Sequence, residues 1–529
     1  MTHLGPGDGG ARRHPLVRLL AALLVPVLLL ALPGTVAAHG LSPVYQSPLP
    51  LAVYLVGAAV TVALSFAFVL ARDMRAGPIA EGRIVAVPAL VRVGLRLVGI
   101  IGWAWIIAQG IAGGSSNAEV ATLILWVYGW VVVASVSALV GPAWQWMDPF
   151  ATLHAAGAWL LARVGIRGWS PREVPAWLRT WPAVIGIVVV IWLELVAGVD
   201  TATLTIFLAG YTVFTLAMMA QFGRDAWRAH GETFSVWFSV LGRLAPFAAV
   251  PAAQTSAQGS DADPDAIDGR VVSRRPFASG LLLASWRTPE IVLVALGTGS
   301  IIYDGLSQTA PWVNTFGVPS LAGETILLAV FLGSVVLAAM LVARAVSPGA
   351  IGAGLLPIAV GYLVGHYLTY VLIDGQRIIV AISDPLQQGW DLFGTLFFEP
   401  TGDWLPPGLV WTVQLAAVVG GHMLGAWAGH VVAVRDLEAQ DTAAALSVGR
   451  EARDLRHRRI RGANGVDAAG TGAGPALTAR SLRMREIPLA VVMVALTTLT
   501  LWSLGQAIVS EEDDEAARPA QVLAEGPRG

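Results

Sequence analysis

The sequence predicts an all-α polytopic integral membrane helix bundle, about ten transmembrane helices after a cleavable signal peptide. Three observations predict it. The 529 residues are 55% hydrophobic and only 13% charged, with a mean hydropathy of +0.67, whereas a soluble globular chain is about 25% charged. Ten stretches approach the roughly 20 apolar residues that a helix needs to cross hydrocarbon. The 33 basic residues, all of them arginine, fall almost entirely on one set of connecting segments.

In chain order, residues 1–38 read as a secretory signal. Arg12, Arg13 and Arg18 form the charged region, Leu19 to Leu32 the apolar region, and Val36-Ala37-Ala38 the small-residue exit. Cleavage there would leave His39 as the new amino terminus. The bundle then occupies 39–510, with spans near 50–71, 93–112, 120–140, 181–199, 202–222, 289–309, 320–343, 350–373, 408–434 and 487–508. The segments 251–270 and 462–479 are small and polar without apolar periodicity, and they read as disordered cytoplasmic loops. Thr233–Val250 spaces Phe234, Trp237, Phe238, Leu241 and Leu244 as an interfacial amphipathic helix would. Leu437–Arg461 ends in five arginines, suited either to anionic headgroups or to water. An acidic tail occupies 511–529.

Orientation follows from the arginines. With the amino terminus outside, 30 of them are cytoplasmic, counting three in the signal, and only Arg377, Arg518 and Arg528 are outside. Arginine is retained on the cytoplasmic side during insertion, so both termini of the mature chain are expected outside. Partners therefore include the lipid bilayer and a small-molecule or ion substrate. A net charge of −2 excludes a basic nucleic-acid binder, and the absence of cysteine excludes disulfides and thiolate chemistry. The chain has no GxSxG elbow, no P-loop and no HExxH.

Ionisable groups inside spans are costly and mark function. They are Glu194, Asp304, His366, Asp374, His422 and His430, with Tyr370, Gln376 and Gln414 nearby. At 1.5 Å per residue, His366 lies roughly 12 Å below the outer end of its helix and His422 roughly 20 Å. Their different depths argue against a haem held between two histidines. Gly361-x-x-x-Gly365 on one helix and Gly421-x-x-x-Gly425-x-x-x-Gly429 on another predict a close crossing. The loop Asp374–Pro407 carries SDPLQQGWDLFGT (Ser383–Thr395) and reads as an ordered cap over an acidic outer face. His366, Asp304, Asp374 and Asp391 can share one level there. That face suits a cation-attracting vestibule or a carboxylate site for a metal or proton; solvated loops with capping aspartates fit it equally. A divalent metal such as copper or zinc would be held by His39 and His366.

The opening AHGL, Asp304-Gly305-Leu306-Ser307, Gly365-His366-Tyr367, Gly375-Gln376, SDPLQQGWDLFGT and Gly429-His430 resemble a family of bacterial membrane proteins labelled fenitrothion hydrolase, most densely between Ile301 and Asp436. The resemblance implies a shared fold and an organophosphate-degrading activity, with no catalytic residue carried over. Two functions are thus expected: a permease-like or solute/metal-handling protein using the outer acidic cluster, or a membrane-embedded phosphotriester hydrolase.

Overall fold

The computed structural model describes residues 82–250, 269–461 and 479–504, apart from 117, 167–169 and 318, together with 56, 57, 60, 61 and 64. Within 441–486, only the helical backbone of 441–461 and 479–486 is described. The signal at 1–38, His39, most of the stretch near 50–71, nearly all of 251–270 and 462–479, and the tail at 511–529 lie outside the described residues.

Seven helices are long and apolar enough to cross a membrane. They are α1 (Ala89–Ala112), α2 (Val120–Leu139), α6 (Thr201–Phe222), α10 (Thr288–Ser307), α12 (Leu321–Ala345), α13 (Pro348–Ile373, continued through Asp374–Arg377 into α14, Ile378–Ser383) and α15 (Pro407–Arg461). Between and after them come α3 (Trp144–Met147), α4 (Pro149–Arg163), α5 (Trp181–Leu195), α7 (Arg224–His230), α8 (Thr233–Leu241), α9 (Ser279–Leu283), α11 (Ala310–Phe316) and α16 (Ala479–Leu504). The sequence-based span near 181–199 is thus shorter than expected. Helix α5 stops at Leu195 because Gly198 turns the chain with φ 53° and Asp200 caps α6 by accepting the Thr203 N–H at 2.7 Å.

Side-chain caps fix other starts. Asp148 accepts from Ala151 N–H ahead of Pro149 in α4, and Ser347 accepts from Ala350 N–H ahead of Pro348 in α13. Large apolar side chains cover the outer surface, among them Leu90, Val93 and Leu97 on α1, Ile206 and Val213 on α6, and Ile326 and Val330 on α12. So extensive an apolar surface suits lipid rather than water.

Helix α10 is the buried centre, packed on α5, α12, α13 and α16. The α13–α15 crossing is the broadest helix pair, and glycine is what allows it. A Cβ on Gly421 would lie 2.5 Å from Pro357 O and 3.1 Å from Gly361 Cα. The glycine ridge read from the sequence is therefore a backbone-to-backbone contact.

Segments expected to share a side do pack together. At one end, the turn after α1 meets the loop after α14: Gln387 Nε2 donates to Ser116 O at 2.9 Å, Gln388 Nε2 to Gly113 O, and Trp105 Nε1 to Pro385 O at 2.8 Å. At the other end, three short strands form an antiparallel sheet in the order β1-β3-β2 (Arg83–Ala86, Val271–Arg274, Phe247–Ala249), with Arg83 opposite Arg274. Arg243 pairs with Glu290 at 3.0 Å nearby. Among the described residues Arg377 is the one arginine at the first end, which we call arginine-poor.

The reading of Thr233–Val250 as one interfacial helix is corrected. Helix α8 ends at Leu241, and the chain then turns into β2. Val236, Trp237, Phe238, Val240 and Leu241 are all buried, against α2, α5 and α10. Its aromatic spacing serves packing inside the bundle: Trp237 stacks on Trp130 with centroids 5.9 Å apart.

Candidate functional site

A cavity of about 870 Å³ opens at the arginine-poor end. Its polar lining comes from the last turns of three helices. Glu194 lies at the end of α5, Asp304 and Gln308 at the end of α10, and His366, Tyr370 and Asp374 along the end of α13, while Asp403 comes from the loop before α15.

Asp304 is the hub. His366 Nε2 lies 2.9 Å from Asp304 Oδ2, Tyr367 OH donates to the same oxygen at 2.9 Å, and Gln308 Nε2 donates to Oδ1 at 2.7 Å. A carboxylate only accepts, so with Asp304 ionised His366 Nε2 carries the proton of this bond. Gly305 permits this pairing across two helices: a Cβ there would lie 2.6 Å from Tyr362 OH and 3.2 Å from His366 Cε1. Tyr362 OH is in turn 2.8 Å from Ser503 Oγ of α16.

Glu194 is held differently. Its Oε2 is shielded from solvent and has no hydrogen-bond partner among the described residues. Asp374 is paired with Arg377 at 3.3 Å. Aromatic faces complete the wall: Trp126, in the π-helical stretch Leu123–Val133 of α2, Tyr367 and Tyr370.

Of the eight residues the sequence offered as one cluster, the cavity gathers Glu194, Asp304, His366 and Asp374. The other four do not line it. Gln376 holds the cap, its Nε2 donating to Leu372 O at 2.7 Å and Thr401 O at 2.9 Å. Asp391 closes a turn, with Oδ1 accepting from Ser383 Oγ and Leu396 N–H, both at 3.0 Å. His422 is fully buried on α15 with Nδ1 2.7 Å from Val418 O of its own helix. His430 is buried further along α15, away from the cavity lining. The proposed partner of His366 in a metal site, His39, lies outside the described residues. Among the described residues no three His, Asp or Glu side chains are grouped to hold a metal.

The cap is ordered by its acidic residues. Asp384 Oδ1 accepts from Gln388 N–H and Oδ2 from Gly389 N–H, each at 2.8 Å. Burial works against the charge on Asp384, but bonds from Ser116 and from these N–H groups outweigh it and hold its pKa below the usual value. The Leu396 N–H and the Ser383 hydroxyl likewise lower Asp391. These carboxylates stay ionised as turn anchors.

Sequence reasoning missed the role of Tyr367 and the reason for Gly305. Both stand next to residues it singled out, and the Asp304-Gly305 and His366-Tyr367 pairs were the available signal.

The fold and the cavity define a mostly helical bundle with helices of membrane-spanning length and a polar cavity at one end. Comparison with family models, with curated proteins and with solved structures finds no match.

Proposed function

We propose that this chain is a permease-like protein of the cytoplasmic membrane that admits a small cation from outside through the acidic cavity. The arginine distribution supports the orientation, because it puts the cavity mouth on the extracytoplasmic side. The observation that carries the reading is Glu194, a shielded carboxylate oxygen without a partner among the described residues, in a cavity that also holds Asp304, Asp374 and Asp403. An acceptor held out of water without a donor is costly, and a cation relieves that cost. Trp126, Tyr367 and Tyr370 add ring faces that attract a cation.

A second reading rests on the Asp304–His366 hydrogen bond at 2.9 Å. A carboxylate that orients an imidazole is the arrangement of a general base, and it supports the phosphotriester hydrolase that the family resemblance implies.

Reconstitution of the full chain in proteoliposomes separates the two. Flux of protons, Zn²⁺ or tetramethylammonium is expected for the wild type and is lost in Glu194→Gln. Turnover of an aryl phosphotriester that disappears in His366→Ala, with no cation flux, would overturn the permease reading in favour of the hydrolase.

A further inference from the structure

A second cavity, of about 390 Å³, lies at the arginine-rich end and shares no lining residue with the first. Its polar walls are Arg96 of α1, Gln145, Asp148, Thr152 of α4, and Arg224 and Arg228 of α7.

The hydrogen-bonding groups in it are one-sided. Asp148 is buried, and both its oxygens are occupied: Oδ2 by Arg228 Nε at 2.8 Å and Oδ1 by Ala151 N–H at 3.0 Å. Arg228 also donates through Nη2 to Gln145 O at 3.1 Å, while its Nη1 meets only Asp225 Oδ1, at 3.9 Å. Arg224 lies against Asp225 at 2.8 Å. Among the described residues Arg96 pairs with no carboxylate. Gln145 Nε2 is buried and donates to nothing among the described residues. Among the described residues, Arg96, Arg228 Nη1 and Gln145 Nε2 therefore leave donors without acceptors around one cavity.

From this we infer that the arginine-rich cavity binds a phosphate-bearing anion. A phosphoryl group offers several acceptor oxygens, and guanidinium groups match it in paired hydrogen bonds. The volume exceeds what one phosphate fills and is in the range of ligand pockets. The exposed apolar face of α1, with Leu90, Val93 and Leu97 around Arg96, runs alongside the cavity and would lie against acyl chains. Basic pockets between helices on the cytoplasmic side take lipid headgroups in this way. The ligand chemistry is shared by an anionic phospholipid headgroup and by soluble phosphate.

The test uses the purified full chain. Native mass spectrometry after exchange into mixed phosphatidylglycerol and phosphatidylcholine nanodiscs reads lipid retention. Thermal unfolding in detergent with inorganic phosphate against chloride, at matched ionic strength, reads the soluble anion. Selective retention of phosphatidylglycerol supports the lipid source, and stabilisation by phosphate supports the soluble one. In either case Arg96→Gln, at an exposed side chain that pairs with no carboxylate among the described residues, should bind about tenfold more weakly with unchanged unfolding in the ligand-free state. Gln145→Leu serves as a second variant with the same expectation. Absence of both effects in the wild type, or equal binding by Arg96→Gln and Gln145→Leu, would overturn the inference.

Discussion

At the arginine-poor end, Glu194, Asp304, Asp374 and Asp403 share a cavity whose one basic lining residue is His366. At the other end, Arg96, Arg224 and Arg228 share a cavity whose one carboxylate among the described lining residues is Asp148. The two ends also differ in how the minority charge is used. Asp148 neutralises Arg228 in a closed pair, both of its oxygens filled. His366 pairs with Asp304 and leaves Glu194 open. The sidedness written into the loops thus continues into the interior: acceptors wait at one end, donors at the other. The proposed cation entry and the inferred phosphate site rest on this contrast between the two ends.

The largest effect is expected at the closed pair. Arg228→Ala strands a buried carboxylate and should cost about 3–5 kcal/mol, read as a lower unfolding temperature of the purified chain. A neutral result would mean that Asp148 is not held by its pair, and the contrast with Glu194 would collapse. Asp304→Asn removes the charged acceptor shared by His366 and Tyr367 and should cost about 1.5–3 kcal/mol, while Glu194→Gln, at an oxygen that holds no bond among the described residues, should not destabilise. That difference within one cavity separates a structural carboxylate from an available one. Gly305→Ala should cost about 1–3 kcal/mol by crowding Tyr362 and His366. The matched Gly333→Ala on α12, where a Cβ would meet nothing within 4 Å, should not destabilise.

The smallest effect concerns the cap. The folded pKa of Asp384 is depressed, so its contribution is complete above the ordinary value of about 3.9 and is lost as pH falls through the lower folded value. Limited proteolysis should find the loop protected at mildly acidic pH and opened only in stronger acid. Opening well above the ordinary carboxylate value would show that Asp384 does not anchor it.

Helix placement and the grouping of loops into two ends were legible because hydropathy and arginine act locally, through lipid and insertion. The glycine ridge was legible for a similar reason: Gly361 and Gly421 leave no side chain between backbones wherever the helices cross. Site membership was only half legible. Asp304 and Asp391 are the same residue type at the same end, yet one meets His366 across two helices and the other closes a turn within its own loop. Nothing in the local sequence separates a side chain that turns inward from one that bonds its neighbours. His422 shows the same limit, since a helical histidine can turn its Nδ1 onto the carbonyl four residues back. The arginine-rich cavity was hidden because Arg96, Arg224 and Arg228 were read for their side of the membrane, and their convergence is tertiary.

The proposed function requires the acidic cavity to face outward. The chain has no cysteine, so single substitutions at two exposed positions, Glu399→Cys in the cap and Phe277→Cys beside the sheet, give clean labelling sites. A membrane-impermeant maleimide applied to intact spheroplasts should modify the first at once and the second only after permeabilisation. Labelling of Phe277→Cys from outside, with Glu399→Cys protected, would invert the molecule and contradict the account.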